Sequence, residues 1–185
     1  MDAKMIAENV AHIRETMARA ARDAGRAPED IQLCAATKMN DADAVRAAIA
    51  AGVDCCGENR VQELQQKLPQ GAYAGKPLHF IGRLQTNKVK YLVGTVDLIE
   101  SVDRMELLET IDKLAQKRGV VQRILLEVNI AGQESKAGFT ADEAAQLAAK
   151  MGDYPGVRLC GLMAIPPVSE FPGENCRYFA EMRNL

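Results

Sequence analysis

The order of apolar runs and amphipathic segments predicts an α/β fold built on a parallel sheet. Three observations carry that expectation. Six strand-like runs alternate with helical segments, so each crossover returns the chain to the same end of a sheet. The 185 residues, 48% of them hydrophobic, are enough chain to bury a core. Internal repeats, low-complexity stretches and an interdomain linker are absent from the sequence. An open doubly wound sheet and a (β/α) barrel both satisfy the pattern.

The elements follow in order. Ile6, Val10, Ile13, Met17 and Ala20 recur at spacings of three and four and predict a helix over about 3–24, stopped by Gly25 and Pro28. The run 31–37 predicts a strand bounded by Lys38. A helix over 41–51 is closed by Gly52 in the position that favours a left-handed residue. Strand 53–57 and helix 59–68 come next, the helix ending before Pro69. Strand 78–81, helix 86–93 and strand 96–101 continue the alternation. Asp103 and Glu106 have the spacing of a capping box, in which each side chain satisfies a backbone N–H. They are expected to open a helix that carries Leu107, Leu108, Ile111 and Leu114 on one side and ends at Gly119. Strand 121–130 follows. A second capping box, Thr140 with Glu143, starts a helix through Met151. Strand 157–165, a Pro/Gly-rich loop over 166–173 and a helix over 174–185 complete the chain.

Composition narrows the function. Twenty-three Lys and Arg stand against 25 Asp and Glu, a formal net charge of −2, and there is no tryptophan. Nothing there attracts a polyanion or stacks on bases, so no nucleic-acid partner is expected. The longest run without a charge, Leu159 to Ser169, is about half of a membrane-spanning helix. The opening Met1-Asp2-Ala3-Lys4 begins an amphipathic pattern rather than a signal segment. No membrane partner and a cytoplasmic location are therefore expected. The five cysteines, Cys34, Cys55, Cys56, Cys160 and Cys176, lack the spacing of a disulfide framework or zinc site. They read as small thiols inside apolar runs, with Cys176 the one expected at the surface and no metal ligands among them.

In a parallel α/β fold, chemistry gathers where strands run out into the following loops. Those ends carry Lys38, Glu58-Asn59, Gly82-Arg83, Ser101, Asn129 and Met163-Ala164-Ile165. Lys38 directly follows an apolar strand. There its amine would shed hydration, favouring the neutral form that attacks an aldehyde, unless it is an ordinary solvated lysine. Asn59 either holds a ligand oxygen or caps the next helix. His79, between Leu78 and Phe80, is either a packed strand residue or a general base. Gly82 to Lys88 brings a glycine and two cations to a helix start, which suits an anion or simply a solvated basic face. The loop from Gly132 to Phe139, with Glu134, Ser135 and Lys136, is small and polar enough to be a flap. Walker and Gly-x-Gly-x-x-Gly phosphate motifs are absent.

Together these pieces resemble the pyridoxal phosphate homeostasis (YggS/PROSC-like) family. The matching segments are Ala36-Thr37-Lys38, Gly57-Glu58-Asn59 with Val61-Gln62-Glu63, and the block from His79 to Lys88. Further on come Glu127-Val128-Asn129, Glu134 to Phe139, and Gly161 to Pro166. The resemblance implies a TIM-type (β/α) barrel of the alanine racemase N-terminal type, one domain over residues 1–185. It implies pyridoxal 5'-phosphate (PLP) as cofactor, held as an imine on Lys38, with Asn59 and His79 in motifs that line the pocket and no catalytic or metal-ligating residues. The implied role is PLP, vitamin B6 and amino-acid homeostasis without turnover, with PLP-dependent apoenzymes as recipients and a monomer or weak dimer as assembly. The alternatives are a racemase-type PLP enzyme, or a truncated chain with no bound ligand.

The sequence departs from the family at Arg60, where an aromatic is more usual, and in Ala-Thr-Lys for the commoner Val-Ser-Lys. It also ends after about six β/α units, before the Ser/Gly-rich loop and Arg-Gly turn that hold the cofactor phosphate in the family. Without backbone donors for that phosphate, weak retention of PLP is expected.

Overall fold

The computed structural model describes residues 2–133, 136–171 and 173–185. Met1, Glu134, Ser135 and Pro172 lie outside them, so the flap and the 166–173 loop are described only in part. Among the described residues six strands alternate with α-helices, except that a 3₁₀ segment alone joins the third strand to the fourth, and all strand pairs given below are parallel. The chain divides into two compact units, Met1–Ile81 and Gly82–Leu185.

The first unit opens with α1 (Ala3–Asp23), capped by the Asp2 side chain. It then forms β1 (Cys34–Ala36), α2 (Ala42–Ala50), β2 (Cys55–Glu58), α3 (Val61–Lys67) and β3 (Leu78–Phe80). β2 pairs with β1 through Cys34–Cys55 and Ala36–Gly57, and with β3 through Gly57–His79 and Glu58–Phe80. Strand β1 is shorter than the apolar run 31–37 because the backbone of that run finds other partners at both ends. Leu33 N–H donates to Asp54 Oδ2 at 2.6 Å, and Arg14 of α1 grips the same carboxylate oxygen at 2.6 Å. That guanidinium holds the Asp54 carboxyl below its usual range. Asp41 caps α2 as its position before the helix suggests.

Side chains alternate across a strand, which gives these three strands two unlike faces. Val45, Leu64 and Phe80 are nearly fully buried, and burying side chains of this size stabilises the fold by about 2 kcal/mol each. Cys56, Glu58, Leu78 and Phe80 share the covered face. On the other face Cys34 is half-buried and Ala36 exposed.

The second unit contains β4 (Leu98–Val102), α4 (Met105–Arg118), β5 (Gln122–Glu127), α5 (Ala141–Ala149), β6 (Val157–Met163) and α6 (Cys176–Asn184). β5 pairs with β4 and with β6. Its core gathers Ile99, Leu107, Leu108, Ile111, Ile124 and Leu126, all fully buried. Gly119 ends α4 at φ 66°, the left-handed turn expected of a glycine there.

Several expectations need correction. The predicted helix 86–93 is a six-residue 3₁₀ turn, Thr86–Tyr91. The capping box at Thr140 and Glu143 forms as expected, but the one at Asp103 does not. Arg104 is the N-cap of α4 with no side-chain cap bond, because the buried Asp103 carboxylate is paired with the Arg104 guanidinium. Cys160 is exposed along with Cys176. It shares its side of β6 with Arg158, which is also exposed, and it lies 3.5 Å from Arg123 Nε.

Candidate functional site

The C-terminal ends of β1 and β2 are tied together from the covered side by a buried polar cluster. Thr37 donates through its hydroxyl to Glu58 Oε1 at 2.7 Å, and through its N–H to Gly57 O at 2.9 Å. Lys67 of α3 reaches Glu58 Oε1 and Thr37 O, each at 2.8 Å. Tyr73 donates to the same Glu58 oxygen at 2.8 Å. Burial, and then the Glu58 carboxylate, push the Tyr73 phenol far above its usual value. A buried carboxylate with a matched ammonium and two hydroxyl donors is a permanent joint, since removing any partner strands a polar group without water.

Lys38 sits immediately beyond this joint. Its neighbour Thr37 is fixed as described, and on the other side Met39 N–H donates to Glu63 Oε2 at 2.6 Å. That N–H, with help from Lys67, holds the Glu63 carboxyl below its usual range. Met39 has φ 62°, the one described non-glycine residue in the left-handed region. The clamp thus holds a strained backbone next to the lysine. Backbone on both sides of Lys38 is pinned, yet its side chain is exposed. The expected loss of hydration at this amine is not met, because β1 ends at Ala36 and Lys38 stands clear of the sheet in the turn.

Asn59 does not cap α3. The N-cap is Arg60, with no side-chain cap bond. Asn59 Oδ1 is instead buried with no hydrogen-bond partner among the described residues. A buried acceptor in that condition is costly unless something outside the chain donates to it.

His79 is buried on the open face of β3, in register with Gly57. Gly57 is needed for space. A Cβ there would come within 2.7 Å of Ile81 Cδ1 and 3.0 Å of Cys34 Sγ. The imidazole lies with Cys34 and Cys55, their ligand atoms all within 4.8 Å of one another.

Lys38, Asn59 and His79 all belong to the first unit, the first two at strand ends and His79 within β3. Sequence reasoning missed Lys67, Tyr73 and Met39 and gave no positioning role to Glu58 or Glu63, all of which position that end. Lys67 left a signal, since it falls on the buried side of α3 with Val61 and Leu64 at spacings of three. Met39 left none, because its conformation is imposed by Glu63 from 24 residues away.

The other strand ends are committed to local structure. Asn129 Nδ2 donates to Gln133 O at 2.8 Å and Lys136 O at 3.3 Å. Lys136 Nζ donates to Ile165 O at 3.1 Å and Pro166 O at 3.3 Å, so it is anchored rather than a plain exposed amine. Arg83 and Arg104 both face the Asp103 carboxylate, which offsets the charge an anion would seek. Burial, and then Asp103, raise the Glu127 carboxyl above its usual value.

Comparison with known proteins adds the context. Residues 2–185 match the family profile described as alanine racemase, N-terminal domain. The chain is similar to the pyridoxal phosphate homeostasis protein of Aquifex aeolicus, 39% identical over 178 residues that span 96% of this chain and 78% of the relative. Among solved structures, it is similar to an unknown protein from Bifidobacterium adolescentis at a TM-score of 0.89, with 36% identity, 100% of this chain and 79% of the other covered. It is also similar to PipY of Synechococcus elongatus with PLP bound, TM-score 0.79 and 30% identity, covering 97% of this chain and 79% of PipY. These likenesses place the fold in the TIM-type (β/α) barrel class of the alanine racemase N-terminal domain. No helix among the described residues is long and apolar enough to cross a membrane.

Proposed function

The chain belongs to the pyridoxal phosphate homeostasis protein family, and on that premise we propose that it binds PLP through Lys38 and takes part in PLP homeostasis without turnover of its own. The observation that carries this reading is the contrast at Lys38 between a doubly clamped backbone and an exposed amine. PLP, when bound, supplies an electrophilic aldehyde. The chain's part is to hold an amine where that aldehyde can reach it without spending ordering entropy on the backbone.

Asn59 and His79 complete the proposed cofactor set. The unsatisfied Asn59 Oδ1 offers an acceptor to a donor on the ligand, and His79 fixes the open face beside Gly57. PipY, similar over most of this chain, has PLP bound, and the Aquifex aeolicus relative is named for PLP homeostasis rather than for a reaction. Both support the reading. The proposal takes residues 1–185 as one PLP-binding barrel domain acting in the cytoplasm, as a monomer or weak dimer. PLP-dependent apoenzymes are the proposed recipients.

Adding PLP to the purified chain should produce a new absorbance band at the edge of the visible, absent from Lys38→Ala. An unchanged band in Lys38→Ala, with the variant folded by circular dichroism, overturns the assignment. Isotope exchange at the α-carbon of alanine should stay at the background rate. Exchange that depends on both protein and PLP overturns the absence of turnover.

A further inference from the structure

Cys34, Cys55 and His79 lie on three adjacent parallel strands and on the same face of them. Cys34 and Cys55 are direct partners across β1 and β2, and His79 of β3 is in register with Gly57, two residues beyond Cys55. Gly57 puts no side chain between the imidazole and the sulfurs. A Cβ at that position would press on Cys34 Sγ. Sequence spacing concealed this group because its members are 21 and 24 residues apart, far from any local metal motif, and only the sheet register assembles them.

We propose that Cys34, Cys55 and His79 bind one zinc-class cation, with the fourth position open to water. The ligand atoms lie within 4.8 Å of one another. Zinc–sulfur bonds of about 2.3 Å in a tetrahedral site require sulfurs roughly 3.8 Å apart. The sheet holds the two cysteine backbones as direct partners, so only their side chains have to adjust to that spacing. Two thiolates and a neutral imidazole match the softness of Zn²⁺, and their two negative charges balance the ion, so the largely buried site carries no net charge. Each cysteine releases its proton to solvent as the metal binds. Cys34 is only half-buried, which gives the ion a way in.

Cys56 supplies the internal contrast. It points to the covered face, and burial pushes its thiol up to about 11, followed by the effect of neighbouring Cys55 and Glu58. On the opposite face Cys55 is buried and Cys34 half-buried, both beside the His79 imidazole.

The site is tested on the 185-residue chain with Zn²⁺ and Co²⁺ alone, no PLP being added. Co²⁺ should give thiolate charge-transfer bands and the visible bands of tetrahedral coordination at one ion per chain, displaced by Zn²⁺. Zn²⁺ binding near neutral pH should release about two protons and raise the thermal midpoint. Cys34→Ser and Cys55→Ser should each weaken Zn²⁺ at least tenfold, whereas Cys176→Ser and Lys38→Ala should bind as the parent does. The Lys38→Ala result separates this site from the PLP assignment. Absence of the cobalt bands in the parent chain overturns the proposal without any variant having to fold. So does their survival in Cys34→Ser/Cys55→Ser, or equal loss in Cys176→Ser.

Discussion

The two faces of strands β1 to β3 put the same residue types to opposite uses. On the covered face, Lys67 is buried, and its ammonium is consumed by Glu58, Glu63 and the Thr37 carbonyl. Lys38, beyond the open strand end, has an exposed side chain and a backbone pinned on either side. The cysteines divide the same way, Cys56 beneath the helices and Cys34 with Cys55 beside His79. A covered polar group contributes stability because leaving it unpaired is expensive, whereas the exposed Lys38 side chain can be reached from solution.

That difference makes covered-face changes costly to folding and open-end changes costly to ligand binding. The largest effect is expected from Glu58→Ala, which leaves the Lys67 ammonium buried with only Glu63 and a carbonyl. It should lower the unfolding free energy by about 3 kcal/mol in urea titration, and a loss below 1 kcal/mol would mean that the cluster is not the joint described.

Glu63 links the two sides, and its effect depends on pH. Its carboxyl is held below the usual value, first by Met39 N–H and then by Lys67. A lowered folded-state value means that the carboxylate's contribution is complete above about pH 5 and drains away as the pH falls through 4.5 and below. Glu63→Gln should therefore cost about 1 kcal/mol at pH 6 and progressively less toward pH 3. A difference from the parent that stays constant across that range would detach the clamp from its charge.

The smallest stability effect has the opposite sign. Met39 is 81% exposed and left-handed. Met39→Gly removes strain at little packing cost and should stabilise the chain by about 0.5 kcal/mol, the relief being partly offset by unfolded-state entropy. Destabilisation would show that the side chain has a contact worth more than the strain.

Element order, strand direction and most boundaries were legible in the sequence because hydrophobic period and helix-stop residues act locally. Gly119 after α4 and the Thr140–Glu143 box are instances. The box at Asp103 escaped because its carboxylate pairs with the adjacent Arg104, although the spacing reads as a box. The rest was decided at a distance. Lys38 and Asn59 were legible as strand-end residues, His79 as a strand residue, and all three through the family resemblance, but not the clamp around Lys38, whose parts come from α3, Tyr73 and the end of β2. The Cys34–Cys55–His79 group was illegible for a related reason, since spacing along the chain says nothing about register between strands.

The central claim is that the open lysine, and not the buried one, meets the aldehyde. Peptide mapping by mass spectrometry after PLP addition and borohydride reduction tests it directly. The account predicts the reduced pyridoxyl mass on the peptide carrying Lys38 at close to one per chain, with Lys67 unmodified. Label spread evenly over exposed lysines, or found on Lys67 while Lys38 stays bare, would contradict it.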